Sequence, residues 1–272
     1  MGQADKAQRF LALHRPGRPL LMPNPWDAGS ARVLASLGFE ALATTSSGYA
    51  ATLGRLDYSV TCEEAIEHAA TIVAAVDVPV SADLENCFAD EPAGVARTIG
   101  LALEAGLAGC SVEDFSGRDE QPIYELPLAV ERVAAAVEVA HGGPVHLVLT
   151  ARAENHLHGV SELDDTIARL CAYADAGADV VYAPGLRTID ELRAVVEAVP
   201  RPVNALVGRG VPPVAELSAA GVARVSVGGG FAFAALAALA EAGVELRDSG
   251  TYGYAERTAA GVKAARESFG RG

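Results

Sequence analysis

Cysteine is scarce and scattered in this chain: Cys62, Cys87, Cys110 and Cys171 are its only four, and no two of them form a CxxC pair. That spacing excludes a disulfide framework and gives no zinc site. The histidines His14, His68, His141, His146, His156 and His158 do not fill the gap, since none has metal-ligand spacing with an acid at a strand end. Basic residues are also in deficit. Lys and Arg number 21 against 35 Asp and Glu, a net charge of −14, which argues against nucleic acid or an anionic membrane as partner. No apolar run approaches the roughly 20 residues of a membrane helix. Met1 to Leu13 carries Asp5, Lys6 and Arg9 and lacks the apolar centre of a signal peptide. A soluble protein of the reducing cytoplasm is expected. What is present is bulk: 272 residues, 50% of them hydrophobic, enough for one large core, so residues 1–272 are expected to form a single domain.

Short, β-branched apolar runs alternate with Ala-rich amphipathic stretches. Strands are expected at Leu20–Met22, Glu40–Thr45, Val78–Ala82, Ala108–Val112, Val145–Thr150, Asp179–Ala183, Pro202–Val207 and Ala223–Val227. Helices are expected near Ala28–Leu37, Cys62–Ala75, Pro92–Ala105, Pro127–His141, Ser161–Ala176, Ile189–Val199, Val214–Ala220 and Phe231–Ala242. The runs are apolar almost throughout, as strands buried on both faces are. Eight β-then-α units favour a closed parallel (β/α)8 TIM barrel of the α/β class over an open sheet. Tyr254–Ser268 is a further helix, within a C-terminal extension at 250–272. The longest irregular stretches, Ser46–Thr61 and Phe115–Leu126, follow strands and are lid candidates over the catalytic face.

Acidic residues stand at the exits of successive strands: Asp83 and Glu85, then Glu113 and Asp114, then Glu154 beside Arg152. Carboxylates there are costly unless they hold a cation or move protons. Asp83 and Glu85 are two apart and point the same way on an extended backbone. Asp57 lies in the long second loop and reaches over the site. Carboxylates without partnered histidines select a hard ion, so Asp83, Glu85, Glu113 and Asp57 are expected to hold Mg²⁺, with Mn²⁺ the substitute and Zn²⁺ a poor fit. The other reading is of solvated loop acids and salt-bridge partners. Arg152 suits a carboxylate or phosphoryl group by its planar fork, or balances the charge of Glu113 and Glu154. The run Thr44 to Tyr49 either holds a substrate carboxylate on its backbone N–H groups or is a plain polar turn. Asp27 or Ser30 caps the helix that follows. Gly228–Gly230 is a phosphate turn or simply a tight one. Tyr182 and Asn204, at the ends of the sixth and seventh strands, are placed to touch substrate.

These pieces resemble the isocitrate lyase and phosphoenolpyruvate mutase superfamily, including its carboxyvinyl-carboxyphosphonate phosphorylmutase-like members. The likeness is carried by Asn24-Pro-Trp-Asp-Ala-Gly-Ser-Ala-Arg32, Thr44-Thr-Ser-Ser-Gly48, Leu53-Gly-Arg-Leu-Asp57, Asp83-Leu-Glu85, Val112-Glu-Asp114, Ala151-Arg-Ala-Glu154, Pro202-Val-Asn204 and Arg224-Val-Ser-Val-Gly228, in that order along the chain. The resemblance implies a barrel that exchanges its last helix with a neighbour, in a homotetramer built from dimers. It implies Mg²⁺ on Asp83, with Asp57, Glu85 and Glu113 behind it through water. It places Ser47, Gly48 and Tyr49 on the carboxylate of a 2-oxo acid, with Trp26 and Asn204 also on the substrate side. Arg152 then binds the departing group, and the chemistry runs through an enolate.

The departures narrow the function. The lyases of the group carry a Lys-Lys/Arg-Cys-Gly-His loop, whereas the corresponding Phe115–Glu125 has no cysteine. Cys87 is outside that motif and reads as a small buried residue. The mutase loop's Lys and Asn-Ser pair are absent too, and Tyr182 stands where mutases have a histidine. Metal and enolate machinery alone suffices to decarboxylate oxaloacetate. A Mg²⁺-dependent decarboxylase or C–C lyase acting on a small 2-oxo or 2-hydroxy dicarboxylic acid is therefore expected first, with Arg152, Glu113, Tyr182 and Asp57 as its catalytic groups. A substituted-malate or methylisocitrate-type lyase is close behind, and a phosphonate mutase or hydrolase follows. A non-catalytic dicarboxylate-binding barrel is the alternative of another class.

Overall fold

The computed structural model describes residues 1–160 and 162–270. Eight parallel strands form a nearly closed barrel: β1 (Leu20–Met22), β2 (Leu42–Ala43), β3 (Val80–Asp83), β4 (Gly109–Glu113), β5 (Val148–Arg152), β6 (Val180–Tyr182), β7 (Val203–Leu206) and β8 (Arg224–Ser226). Seven neighbouring pairs run from β2 through β8 to β1. At the remaining seam, Ala43 N–H donates to the Pro23 carbonyl at 3.1 Å. Asn24 spans the same region, donating from Nδ2 to the Thr44 carbonyl and accepting at Oδ1 from Val227 and Gly228 N–H. One amide thus ties the exits of β1, β2 and β8.

The helices are α1 (Gln3–Ala12), α2 (Ala28–Ser36), α3 (Ser46–Thr52), α4 (Cys62–Ala75), α5 (Pro92–Glu104), α6 (Leu126–His141), α7 (Leu163–Asp175), α8 (Ile189–Ala198), α9 (Val214–Ala219), α10 (Gly230–Ser249) and α11 (Ala255–Ser268). A 3-10 turn covers Asn155–His158. Local chemistry sets several starts: Asp27, Thr61 and Thr188 each cap the third residue of their helix. Ser161, expected to open the helix Ser161–Ala176, lies outside the described residues, as do positions 271 and 272 of the expected C-terminal extension.

Three differences from the expectations stand out. The second strand is only Leu42–Ala43, shorter than Glu40–Thr45, because Thr45 turns away to cap α3 by accepting from Gly48 N–H. For the same reason Ser46–Thr61 is not irregular throughout: its first seven residues are helix. The third is α1, which the sequence reading did not foresee. It is short and polar, started by Asp5 accepting from Gly2 N–H.

Helix α1 closes the N-terminal mouth of the barrel. Gln3 donates to the Leu103 and Leu107 carbonyls, and Lys6 to that of Val76. Phe10 and Ala7, both fully buried, pack with Leu20, Met22, Ala41, Ala43, Ala108, Val148 and Val180. The ring of Phe10 sits so close to β4 that a Cβ on Gly109 would fall 2.7 Å from it and 2.8 Å from the Val148 carbonyl. Glycine is therefore required at 109 by close approach. Phe10→Ala is expected to lower stability by about 3–5 kcal/mol, read as a fall in denaturant midpoint at unchanged slope. An unshifted midpoint would show that α1 is not part of the core.

Candidate active site

One row of paired residues positions much of the site. Across β4 to β8 the parallel register aligns Glu113 with Arg152, Arg152 with Tyr182, Tyr182 with Asn204, and Asn204 with Arg224. At the centre is Arg152, whose guanidinium meets three carboxylates. Nη1 is 2.9 Å from Asp83 Oδ1, Nη2 is 3.1 Å from Glu113 Oε2, and Nε is 2.7 Å from Glu154 Oε1. Its face lies over the Tyr182 ring, with Cζ 5.2 Å from the centroid. Asp83 is fixed on its other oxygen by Ser46, whose N–H and hydroxyl both donate to Oδ2.

The acids are more numerous than the cations that answer them. Glu85 and Glu113 are buried, and each has one side-chain oxygen, Oε1, without a hydrogen-bond partner. Burial, with Asp83 and Asp57 adding their charge, raises the Glu85 carboxyl to about 8. Burial also raises Glu113 well above the usual carboxylate range, against the pull of Arg152. Asp57, at the solvent side, is raised by desolvation and Asp83 while Ser46 opposes the shift. Orphaned carboxylate oxygens and suppressed ionisation are the signature of anions awaiting a cation. The donor set is all oxygen, which fits Mg²⁺ or Mn²⁺. Among the described residues, no three of Asp57, Asp83, Glu85 and Glu113 bring oxygens within 4.8 Å of one another. That spread suits an ion that keeps several waters rather than a closed protein cage.

A cavity of about 190 Å³ opens beside this cluster. Of the residues singled out in the sequence, Ser47, Asp57, Asp83, Arg152, Tyr182 and Asn204 line it. Glu113 stands behind Arg152, away from the cavity wall. Glu85 lies in a neighbouring pocket with Ser46, Tyr49 and His68. Asp83 and Glu85 do not share one extended face, because β3 ends at Asp83 and Glu85 turns into the left-handed region at φ +50°. Asn204 is the second residue of β7 rather than its end.

The expected backbone cradle is partly spoken for. Gly48 N–H donates to Thr45 Oγ1 and Tyr49 N–H to the Thr45 carbonyl. The Tyr49 ring stacks on His68 at 3.9 Å. Trp26 faces the cleft between α2 and α11 and does not line the cavity. Cys87 is fully buried and its thiol is pushed up to about 12, so it is not an available nucleophile or acid.

Two features were not foreseen. Arg224 is buried and lines the cavity, donating to Asn204 Oδ1 and Thr150 Oγ1 and meeting Nε2 of His14. All these partners are neutral, since burial and Arg224 hold His14 down at about 3. Burial lowers Arg224 itself to about 9. Among the described residues, this cation has no carboxylate partner, and it faces the cavity. Second, Phe115 stacks on His158 at 3.7 Å and meets Tyr58 edge-on at 4.8 Å, joining the loops after β2, β4 and β5. The loop after β4 is itself a small hairpin, with Phe115 bridged to Ile123 and Ser116 N–H donating to the Pro122 carbonyl.

Residues 10–247 match the profile of the phosphoenolpyruvate phosphomutase family. A protein of Mycobacterium tuberculosis with no assigned function is 33% identical over 80% of this chain and 81% of its own. A candidate lyase/mutase from Burkholderia cenocepacia is 53% identical, with a TM-score of 0.94 over 97% of this chain and 95% of that one. A 2,3-dimethylmalate lyase of Eubacterium barkeri is 28% identical over 74% of this chain and 69% of its own.

The buried acids make the metal-free protein sensitive to pH. Folded Glu85 binds its proton more tightly than the unfolded chain, whose carboxyl titrates near 4.5. Stability is therefore expected to fall as pH rises from about 4.5 to about 8 and then to level off. Glu85→Gln removes the share of this dependence that Glu85 contributes, leaving that of Glu113 and Asp57. In chelator-treated protein at pH 8.5 it is expected to raise the melting temperature, while weakening Mg²⁺ binding measured by calorimetry. A lower melting temperature for the variant would refute the assignment of Glu85 as a strained acid.

Proposed function

The chain belongs to the phosphoenolpyruvate phosphomutase family, and from that premise we propose that it is a Mg²⁺-dependent lyase cleaving a C–C bond of a small 2-oxo or 2-hydroxy dicarboxylic acid. The observation that carries this reading is the Arg152 cluster: carboxylates in excess over cations, buried oxygens left unpartnered, and a small-molecule cavity alongside. Related proteins named 2-methylisocitrate lyase, in Bacillus subtilis, and 2,3-dimethylmalate lyase support the reaction class. So does the likeness to oxaloacetate acetylhydrolase bound to its product oxalate, with 28% identity and a TM-score of 0.83.

Asp83 would hold the ion directly, with Asp57, Glu85 and Glu113 behind it. Bound there, Mg²⁺ supplies a Lewis acid that polarises the keto and carboxylate oxygens of a 2-oxo acid and so lowers the cost of enolate charge. The protein's own groups do the rest. Arg152 offers a planar cation to the departing carboxylate and is kept in place by Glu113 and Glu154 when Asp83 turns to the ion. Arg224 adds positive potential in the wall for the other end of a dianion. Burial raises the Tyr182 phenol well above its ordinary range, so it keeps its proton and acts as a hydrogen-bond donor. For oxaloacetate, the bond to the departing carboxylate breaks, CO₂ leaves, and water protonates the carbon left behind. The chain's lysines are Lys6 and Lys263. Neither lines the cavity, which disfavours the phosphonate reading.

We also propose that the barrel is one domain over 1–272 and acts in the cytoplasm as a homotetramer of dimers, with C-terminal helices exchanged between neighbours. Helix α10 supports the exchange. It carries no charged residue from Gly230 to Ala240, yet the helix buries only Ala232 and leaves Phe233, Leu239 and Leu246 at least half exposed. Such a face is stable in water only when covered. Among the described residues, no helix is long and apolar enough to cross a membrane, and the cysteines are free. Leu239→Asp is expected to shift the light-scattering mass toward the monomer.

The deciding measurement is pyruvate release from oxaloacetate with Mg²⁺, comparing the protein with Asp83→Ala and Arg152→Lys. The Asp83 variant corrects for decarboxylation by free metal. Both variants are expected to lose about 100-fold in kcat/KM, because the substitutions remove a charge or a bidentate fork at the reacting centre. Turnover equal to that of Asp83→Ala removes oxaloacetate decarboxylation and passes the question to substituted malates. If Mg²⁺ with oxalate also fails to raise the melting temperature, a non-catalytic barrel is favoured.

A further inference from the structure

A second cluster of ligand-type side chains lies at the opposite end of the barrel. Asp179 immediately precedes β6, His146 precedes β5, and His141 closes α6. The acids and Arg152 described above stand at the exits of β3, β4 and β5, so the two clusters are separated by the length of the strands. His141 Nε2 is 3.0 Å from Asp179 Oδ2 and His146 Nε2 is 2.9 Å from Asp179 Oδ1. The two imidazoles are stacked, with centroids 3.9 Å apart and planes 12° from parallel. Both rings therefore present Nε2 toward the same carboxylate. Among the described residues this is the one group of three such side chains whose ligand atoms all lie within 4.8 Å of one another.

The arrangement is built rather than incidental. His141 and His146 are joined by the turn Gly142-Gly-Pro-Val145, and a Cβ on Gly142 would meet the Glu138 carbonyl at 2.6 Å, so the turn needs glycine to fold back this tightly. Asp179 is buried and further held by Leu149 N–H, which donates to Oδ2 at 2.8 Å. Although burial works against it, the hydrogen bonds from His141, Leu149 N–H and His146 keep its carboxyl below the usual range. The Asp179 side chain is 8% exposed and that of His146 is 44% exposed, so a rigid buried anion is paired with a ligand that solvent reaches.

We propose that His141, His146 and Asp179 form a binding site for a divalent transition-metal ion of the Zn²⁺ class, distinct from the Mg²⁺ region of the cavity. Two imidazoles and a carboxylate are a set that Zn²⁺ takes readily and Mg²⁺ does not. The remaining coordination positions go to water on the His146 side. The ion replaces the hydrogen-bonding protons of the imidazoles and ties the end of α6 to the starts of β5 and β6. Its role is structural, since the cleavage site is at the other end of the strands.

The test titrates Zn²⁺ into the full chain already holding Mg²⁺ and oxalate, so that the acidic cavity is occupied. The expected result is one Zn²⁺ per chain, a higher melting temperature, and at least a 10-fold loss of affinity in His146→Ala and in His141→Gln. Co²⁺ in place of Zn²⁺ is expected to give visible absorption bands that the variants lose. His146 is partly exposed, so its substitution is expected to leave the fold intact, checked by an unchanged melting temperature without Zn²⁺. The proposal is overturned if the Mg²⁺-loaded protein binds no Zn²⁺, or if both variants bind it as tightly as the parent.

Discussion

The site rests on one guanidinium. Arg152 is the shared counter-ion of Asp83, Glu113 and Glu154, which come from the ends of β3, β4 and β5. Three carboxylates so close together repel one another, and their burial adds a desolvation cost. A planar fork with donors in three directions makes the arrangement tolerable, where a lysine's compact charge would leave one or two acids unanswered. The compensation is incomplete by design of the geometry, because Glu85 and Glu113 keep bare oxygens. Those buried, unpartnered acids are a cost that a bound cation would relieve. In the proposed reading, binding of an ion there and stability of the loops around it would be linked for that reason.

Much of this was legible in the letters, for identifiable reasons. Parallel strands covered on both faces must be short, apolar and β-branched, so β3 to β8 announced themselves, and the carboxylates at their exits stood out against that background. Asp83, Asp57 and Arg152 needed only strand order to be placed near one another. What could not be read was whatever depends on turns or on distant chain. Glu85 leaves the face of Asp83 because the backbone enters a left-handed conformation that no spacing rule foretells. Trp26 lies in a motif full of site residues yet faces α11, because the direction of a loop side chain is set by packing from elsewhere in the chain.

The misses share that cause. Arg224 looked like the start of a strand, but its environment is made by His14, Thr150 and Asn204, each from a different part of the sequence. His141, at the end of an expected helix, and His146, in an expected strand, showed no metal-ligand spacing because their partner, Asp179, belongs to the next β-α unit. Helix α1 is amphipathic but short and polar on average, and it precedes the first β-α unit, so only its docking against β4 reveals its purpose. In a barrel the ends of the strands gather residues by topology, and a linear reading sees the ring only where each member carries its own signal.

The plug formed by α1 has a consequence for traffic through the molecule. Phe10 and Ala7 fill the lower mouth, and His14, just beyond the helix, reaches Arg224 in the cavity wall. Asp57 and Tyr58 line the chamber on its loop side, away from that plug. Were the proposed cleavage to run in a chamber plugged at that end, products would have an order of departure: the piece made nearer the loops would leave first, and the piece lodged toward Arg224 would wait behind it.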